Sequence, residues 1–262
     1  MICRQCGSGS LKLIYTQGND DGHKFYRCKE CYLVNLDLMA GLDQTKYDNK
    51  GYQSVQHSRK ENQSQERTWQ HLKSSLPVLS GKRMLDIGCG NAHMLELAQM
   101  EGWEIAGIEI LPNLAELASR KLGVDVTTSD IQIYQPRPDE LYDLIVMRHV
   151  FEHIPDGLAV MRKCIAMLST GGVIYLELPN IDSFSLVIKR WLSRRGLMKK
   201  QYRSDYVPGH CNEYGRRSLH KLAAITGLRL EQWGTYSSKP GLDLFYRLFP
   251  VATKGRVTLV KE

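Results

Sequence analysis

Apolar positions recur along the chain in two rhythms, and the switches between them mark out elements. From residue 82 onward, short continuous apolar runs alternate with stretches of helical period. KRMLDIG reads as a strand running into glycines, and AHMLELAQM as a helix. WEIAGIEI is a second strand, followed by the helix NLAELASRKL with Leu114, Leu117, Ala118 and Leu122 on one face. VDVTTSD is a short strand and YDLIVMRH a buried one. DGLAVMRKCIAML places Leu158, Met161, Ile165 and Leu168 on one helical stripe, and GGVIYLELPN is a strand after a Gly-Gly turn. Repeated strand–helix units of this kind predict a parallel sheet covered on both faces. The end differs: SLHKLAAITG is a helix stopping at Gly227, and LRLEQWGTY and RVTLVKE are strands joined only by a loop. They predict an antiparallel pair at the sheet edge. The stretch at about 181–210, SFSLVIKRWLSRRGLMKKQYRSDYVPGH within it, interrupts the rhythm and is basic and amphipathic.

The first 80 residues follow another pattern. LKLIYT and KFYRC alternate as short strands around a polar turn at GNDDGH, flanked by two Cys-x-x-Cys pairs, Cys3/Cys6 and Cys28/Cys31. Two residues between thiolates form a knuckle that aims both sulfurs at one ion, and two knuckles complete a tetrahedron. Residues 1–36 therefore read as a zinc ribbon, with a redox Cys-x-x-Cys or a chance cluster as the other readings. Four thiolates leave no position open for water, so the Zn2+ is expected to be structural. Residues 37–80 form a polar linker whose second half is an amphipathic helix, with Trp69, Leu72 and Leu76 at i, i+3, i+7. Pro77 and Gly81 precede the main domain, 81–262.

Composition narrows the classes. A chain of 262 residues allows one or two domains, and 42% hydrophobic with 24% charged residues excludes wholesale disorder, collagen and coiled coil. No stretch approaches the roughly 18 apolar residues of a membrane helix, and the N-terminus lacks a signal-peptide core, so a cytoplasmic location is expected. A net charge of +7 favours anionic partners: nucleic acid, nucleotide-linked sugars or a membrane surface.

The glycine-rich motif Met84-Leu85-Asp86-Ile87-Gly88-Cys89-Gly90-Asn91 ends a strand and opens a helix, so backbone can approach a ligand there. It is a poor dinucleotide fingerprint. His93 stands at the third glycine position, and Asp86 would repel a pyrophosphate while suiting an ammonium or sulfonium. Glu109, nineteen residues after Gly90, ends the next strand and can accept both ribose hydroxyls. Asp130 ends the third strand, and with Ile131 it can border an adenine by a carboxylate and an apolar contact.

In order and spacing, LDIGCGNA, the acidic end of IAGIEI, the SD of TTSD, YDLIVMRHVFEHIPD and STGGVIYLELPN resemble class I S-adenosylmethionine-dependent methyltransferases, over about residues 82–262. The resemblance implies an α/β, Rossmann-like seven-stranded sheet with an antiparallel edge pair, and S-adenosylmethionine as cofactor. It places Gly88 and Gly90 beside the methionine part, with Asp86 near its ammonium, Glu109 on the ribose, and Asp130 and Ile131 at the adenine. Arg148 lies near the sulfonium end, mainly through its backbone. Tyr47 and Tyr52 of the linker either close the pocket or simply pack. FEHIPD with GHCNEYGRRSLHKLAAITGL resembles a bacterial branch modifying small molecules or sugars.

An activated methyl group needs an aligned nucleophile, and a hydroxyl acceptor is helped by a general base. His153 is one candidate, His210 with Glu213 nearby another, and His149 a weaker third; the alternatives are a His153 that only caps a helix or orients Glu152, and catalysis by proximity alone. Neither an Asn/Asp-Pro-Pro-aromatic motif nor a Pro-Cys dipeptide is present, which disfavours base methylation by those routes. The expected reaction is methylation of a small-molecule or glycan acceptor, with oxygen favoured. The rivals are an rRNA or tRNA methyltransferase using the ribbon on RNA, and a non-catalytic cofactor-binding assembly protein. Lys189, Arg190, Arg194, Arg195, Lys199, Lys200 and Arg203 interleave with Phe184, Leu186, Val187, Ile188, Trp191 and Leu192. This stretch is either a lid for an anionic acceptor, at a membrane surface in one version, or a solvated basic face.

Overall fold

The structure, a computed structural model, describes residues 1–18, 21–43, 59–195, 197, 202, 206–236 and 252–262. Tyr47, Tyr52, Lys199, Lys200 and Arg203 lie outside the described residues. The chain divides into two compact units. The first gathers Met1–Gln44, Phe151–Leu158 and Glu177–Val257; the second gathers Thr45–Val150, Ala159–Leu176 and Thr258–Glu262.

The second unit carries the strand–helix repeat. Helix α1 (Arg59–Ser75) precedes β4 (Arg83–Ile87), α2 (His93–Met100), β5 (Glu104–Glu109), α3 (Pro112–Leu122), β6 (Val126–Thr128) and β7 (Tyr142–Arg148). Strands β5 and β7 flank β4, both parallel to it, and β6 continues beyond β5. The chain moves outward on one side of β4 and then returns to its other side, so the strand order reverses there. A ligand crevice opens at the carboxyl ends of the strands at such a point. The register brings those ends level: Ile87 pairs with Ile108 and with Met147, and Glu109 with Thr128. Pro112 starts α3, where its missing N–H costs nothing, and Gly123 ends it at φ 68°. Leu114, Ala115, Ala118 and Leu122 are its buried residues; Leu117, expected among them, is 46% exposed because it falls at the edge of the stripe. Trp69, Leu72, Met84, Leu95, Leu144, Val146 and Tyr175 belong to one core cluster.

Helix α4 (Gly157–Ala166) leads into β8 (Leu168–Pro179), and α5 (Phe184–Arg194), β9 (Asn212–Glu213), α6 (Arg216–Thr226), β10 (Leu228–Tyr236) and β11 (Lys254–Lys261) complete the chain. The large sheet runs β10-β11-β8-β7-β4-β5-β6, seven strands, with the late antiparallel pair at its edge. No described helix is long and apolar enough to cross a membrane.

The first unit holds a smaller sheet, ordered β1-β2-β3-β9, with β1 (Leu11–Gln17), β2 (His23–Cys28) and β3 (Val34–Leu36) antiparallel in sequence. Its fourth strand is β9, so residues 212–213 complete the sheet begun near the N-terminus. Phe25, Val34, Leu36, Ile181 and Cys211 form its core.

Candidate functional site

The loop after β4 is built from left-handed backbone. Gly88, Gly90 and Ala92 have φ of +74°, +55° and +55°. A Cβ on Gly88 would lie 2.5 Å from Val150 Cγ2, so only glycine fits that turn. The loop is then pinned to the tip of β5: Gly88 N donates to Ile108 O (2.7 Å) and Gly90 N to Glu109 Oε2 (2.9 Å). Glu109 Oε1 accepts from Leu111 N (3.1 Å). Burial pushes the Glu109 carboxyl above its ordinary range, and these backbone amides partly restore it. Each oxygen keeps a further lone pair for a ligand hydroxyl.

Asp86 lies near the end of β4, 4% exposed, and its carboxylate has no hydrogen bond among the described residues. Burial pushes its pKa up to about 7, with Arg148 opposing and Glu109 reinforcing the shift. Arg148 is the last residue of β7, and its guanidinium turns to α1, donating to Glu61 Oε1 (3.2 Å) and Ser64 Oγ (3.3 Å). His149 follows in left-handed backbone at φ +56°, a strained conformation for a residue with a Cβ.

Helix α1 grips the same loop. Gln65 donates through Nε2 to Asn91 Oδ1 (2.9 Å) and accepts from Met94 N (2.8 Å) through Oε1. Asn91 Nδ2 donates to Asn62 Oδ1 (2.7 Å). Sequence reasoning missed Asn62 and Gln65. The available signal was Gln65 itself, a polar residue at i−4 from Trp69 and i−7 from Leu72, hence on the apolar stripe. His93 sits 2.8 Å from Glu96 and 3.3 Å from Glu66.

After β6, the Asp130 side chain accepts from Gln132 N (2.8 Å) and Gln132 Nε2 (3.0 Å), and Ile131 is buried. Asp130 thus lies just beyond the strand, which ends at Thr128, rather than at its end. Lys163 of α4 holds this segment by donating to the carbonyls of Ile131, Gln132 and Tyr134 at 2.9, 2.9 and 2.6 Å. A lone lysine on a helix carries no sequence signal for such a role.

In the first unit, His153 and His210 come together, their rings edge to face with centroids 4.7 Å apart. His153 Nδ1 donates to Gly209 O (2.6 Å), because a carbonyl can only accept. That bond fixes the tautomer of the neutral ring and leaves the lone pair on Nε2, which is 4.0 Å from Glu152 Oε1. Glu213 does not join the pair: its carboxylate accepts from the Tyr15 hydroxyl at 2.5 Å. The basic segment is only partly a free face. Arg190 donates to Ile181 O (2.7 Å) and lies over the Tyr15 ring, while Phe184, Val187, Ile188 and Trp191 are exposed.

The sulfurs of Cys3, Cys6, Cys28 and Cys31 lie within 4.8 Å of one another, with Cys3–Cys31 at 3.4 Å and Cys6–Cys28 at 3.6 Å. Hydrogen bonding from Cys31 holds the Cys3 thiol down to about 4 and pushes Cys31 up. Four sulfurs gathered at this spacing fit a tetrahedral zinc ion.

Residues 60–232 match a family model described as a methyltransferase domain. The chain belongs to the methyltransferase-domain family. Relatives of this methyltransferase include a ubiquinone biosynthesis O-methyltransferase from Xylella fastidiosa, 28% identical over 168 residues, covering 59% of this chain and 67% of the relative. Its counterpart from Xanthomonas campestris pv. campestris is 24% identical over 166 residues, covering 60% and 70%. Among solved structures, magnesium protoporphyrin IX methyltransferase from Synechocystis PCC 6803 with bound SAH superposes with a TM-score of 0.54 at 14% identity, covering 78% of this chain and 84% of that one. A SAM-dependent methyltransferase from Archaeoglobus fulgidus gives 0.53 at 20% identity, covering 75% and 94%. The protein is a methyltransferase dependent on S-adenosylmethionine. The residues at the strand tips fit that cofactor: a buried carboxylate without a hydrogen-bonding partner among the described residues suits a cation, and the Gly88 turn has no room for a side chain.

Proposed function

We propose that the enzyme methylates a hydroxyl of a small-molecule acceptor, with His153 as the general base. The observation that carries this reading is the His153 Nδ1–H bond to the Gly209 carbonyl, which leaves Nε2 as the proton acceptor in the neutral ring. S-adenosylmethionine supplies a methyl group already activated by its sulfonium. Asp86 offers negative charge to the cationic part of the cofactor, Gly88 and Gly90 let backbone lie against its methionine portion, and Glu109 accepts from the ribose hydroxyls. Asp130 and Ile131 border the adenine. Nε2 of His153 takes the acceptor's hydroxyl proton, Glu152 stabilises the resulting imidazolium, and His210 packs against the ring to hold its plane. The proton then passes to solvent. The O-methyltransferase relatives act in ubiquinone biosynthesis by name, and they favour oxygen as the methylated atom here. The four N-terminal cysteines hold one structural zinc ion.

Incubating cell extract with the protein and cofactor labelled in its methyl group, followed by mass spectrometry, identifies the acceptor. The label is expected in an ether of a small molecule. Label in RNA contradicts the reading. On the identified acceptor, His153→Gln is expected to lower kcat by about 10²–10⁴-fold, the usual worth of a general base, with cofactor affinity unchanged.

A further inference from the structure

We infer that the first cysteine knuckle positions the His153–His210 pair, with Arg4 as the positioning residue. The inference rests on the assignment of His153 as base, and it gives the cysteine cluster a task beyond holding its own loop. Arg4 lies between Cys3 and Cys6. Its backbone amide donates to Asn35 Oδ1 (3.0 Å), and Asn35 Nδ2 donates in turn to Leu33 O (3.1 Å) and toward Cys3 Sγ (3.7 Å). The backbone of the knuckle is thereby fixed to β3.

The guanidinium reaches the other way. Nη1 donates to Leu36 O (2.8 Å), Nε and Nη2 both donate to Asn212 Oδ1 (3.1 and 3.0 Å), and Nη2 also donates to Cys211 O. A planar fork of fixed donors suits such a task, and a flexible ammonium cannot reproduce it. Beyond Arg4 the contacts run to the histidines. Asn212 Nδ2 donates to Ile154 O (2.7 Å) and Cys211 N to Glu152 O (3.0 Å), gripping the chain on both sides of His153. Cys211 directly follows His210, and His210 directly follows the Gly209 whose carbonyl accepts from His153.

Asn35, Cys211 and Asn212 are fully buried, so these bonds have no water to replace them. The second knuckle has no such reach: Lys29 and Glu30, between Cys28 and Cys31, are exposed. Losing Arg4, or the metal that shapes its loop, releases the Cys211–Asn212 strand and with it the carbonyl that sets the His153 tautomer.

The test needs no acceptor. The zinc-loaded protein labelled with ¹⁵N-histidine is examined by NMR, with His153→Gln and His210→Gln assigning the signals. In the wild type, neutral His153 is expected to carry its proton on Nδ1. In Arg4→Ala, with zinc content and S-adenosylmethionine affinity retained, that proton is expected to move in a substantial fraction of molecules to Nε2. Arg4→Lys, whose ammonium lacks the fork, is expected to shift the proton in the same direction to a smaller extent, and it serves as the sole test should the alanine variant not fold. A wild-type tautomer in a folded Arg4 variant overturns the inference. Methyl transfer that survives His153→Gln instead removes the assignment of the base and leaves the positioning result standing.

Discussion

In the proposed site, Asp86 would couple cofactor binding to pH through its surroundings. Its folded pKa, about 7, lies above the ordinary carboxylate value because burial disfavours the charge. A raised acid stabilises the folded state least when ionised. Its contribution to stability therefore falls as pH climbs from about 4 to about 7 and levels off above. A cationic ligand prefers the ionised form, so cofactor affinity is expected to rise with pH over the upper part of that window, by at most about tenfold per unit. Asp86→Asn should flatten the profile and weaken binding; calorimetry between pH 5.5 and 8 in buffers of different ionisation heat, about this pKa, reads both effects. Gly88→Ala is a harsher change. Left-handed backbone costs a residue with a Cβ about 1–2 kcal/mol, before the contact with Val150 is counted. Lower thermal stability and lost cofactor binding are expected together, and normal binding by this variant would show that the turn tolerates a Cβ.

At the scale of elements, α1 joins core and site. Trp69 is 1% exposed, packs edge to face on Trp103 and donates to Glu101 (3.0 Å). Trp69→Ala is expected to cost about 3–5 kcal/mol in denaturant unfolding. Gln65→Ala leaves the Met94 amide and the Asn91 side chain short of a buried partner, at about 1–3 kcal/mol, and should also loosen cofactor binding. If its affinity stays at the wild-type level, α1 is a packing element only. The strands and their acidic tips were legible in the sequence because a buried parallel strand is a continuous apolar run and Asp86 and Glu109 stand out at the end of one. The turn after β6 was less so: with only three residues in the strand, Asp130 falls beyond it. The grip of α1 on the glycine loop was not legible, since its polar residues sit in a stretch of Gln, Ser, Lys and Arg where nothing distinguishes a bonded amide from a solvated one.

At the scale of the molecule, contacts distant in sequence decide what was hidden. The cysteine pairs announced a metal-sized cluster, but the sheet they flank closes on β9, and Arg4 meets Asn212 across 208 positions. No local periodicity encodes a contact of that range. If the four cysteines hold zinc as proposed, the Cys3→Ser, Cys28→Ser double variant is expected to bind none, and full occupancy by metal analysis would sink the four-thiolate site. The central proposal, that a carboxylate at the tip of β5 accepts from the cofactor's ribose, is open to a direct test. Glu109 already binds two backbone amides, so weaker binding by Glu109→Ala could reflect loop damage alone. The decisive measurement is a calorimetric cycle crossing wild type and Glu109→Ala with S-adenosylhomocysteine and its 2′-deoxy analogue. The wild type should lose affinity for the deoxy ligand, whereas the variant should bind both alike. Equal discrimination by the two proteins would place the ribose elsewhere.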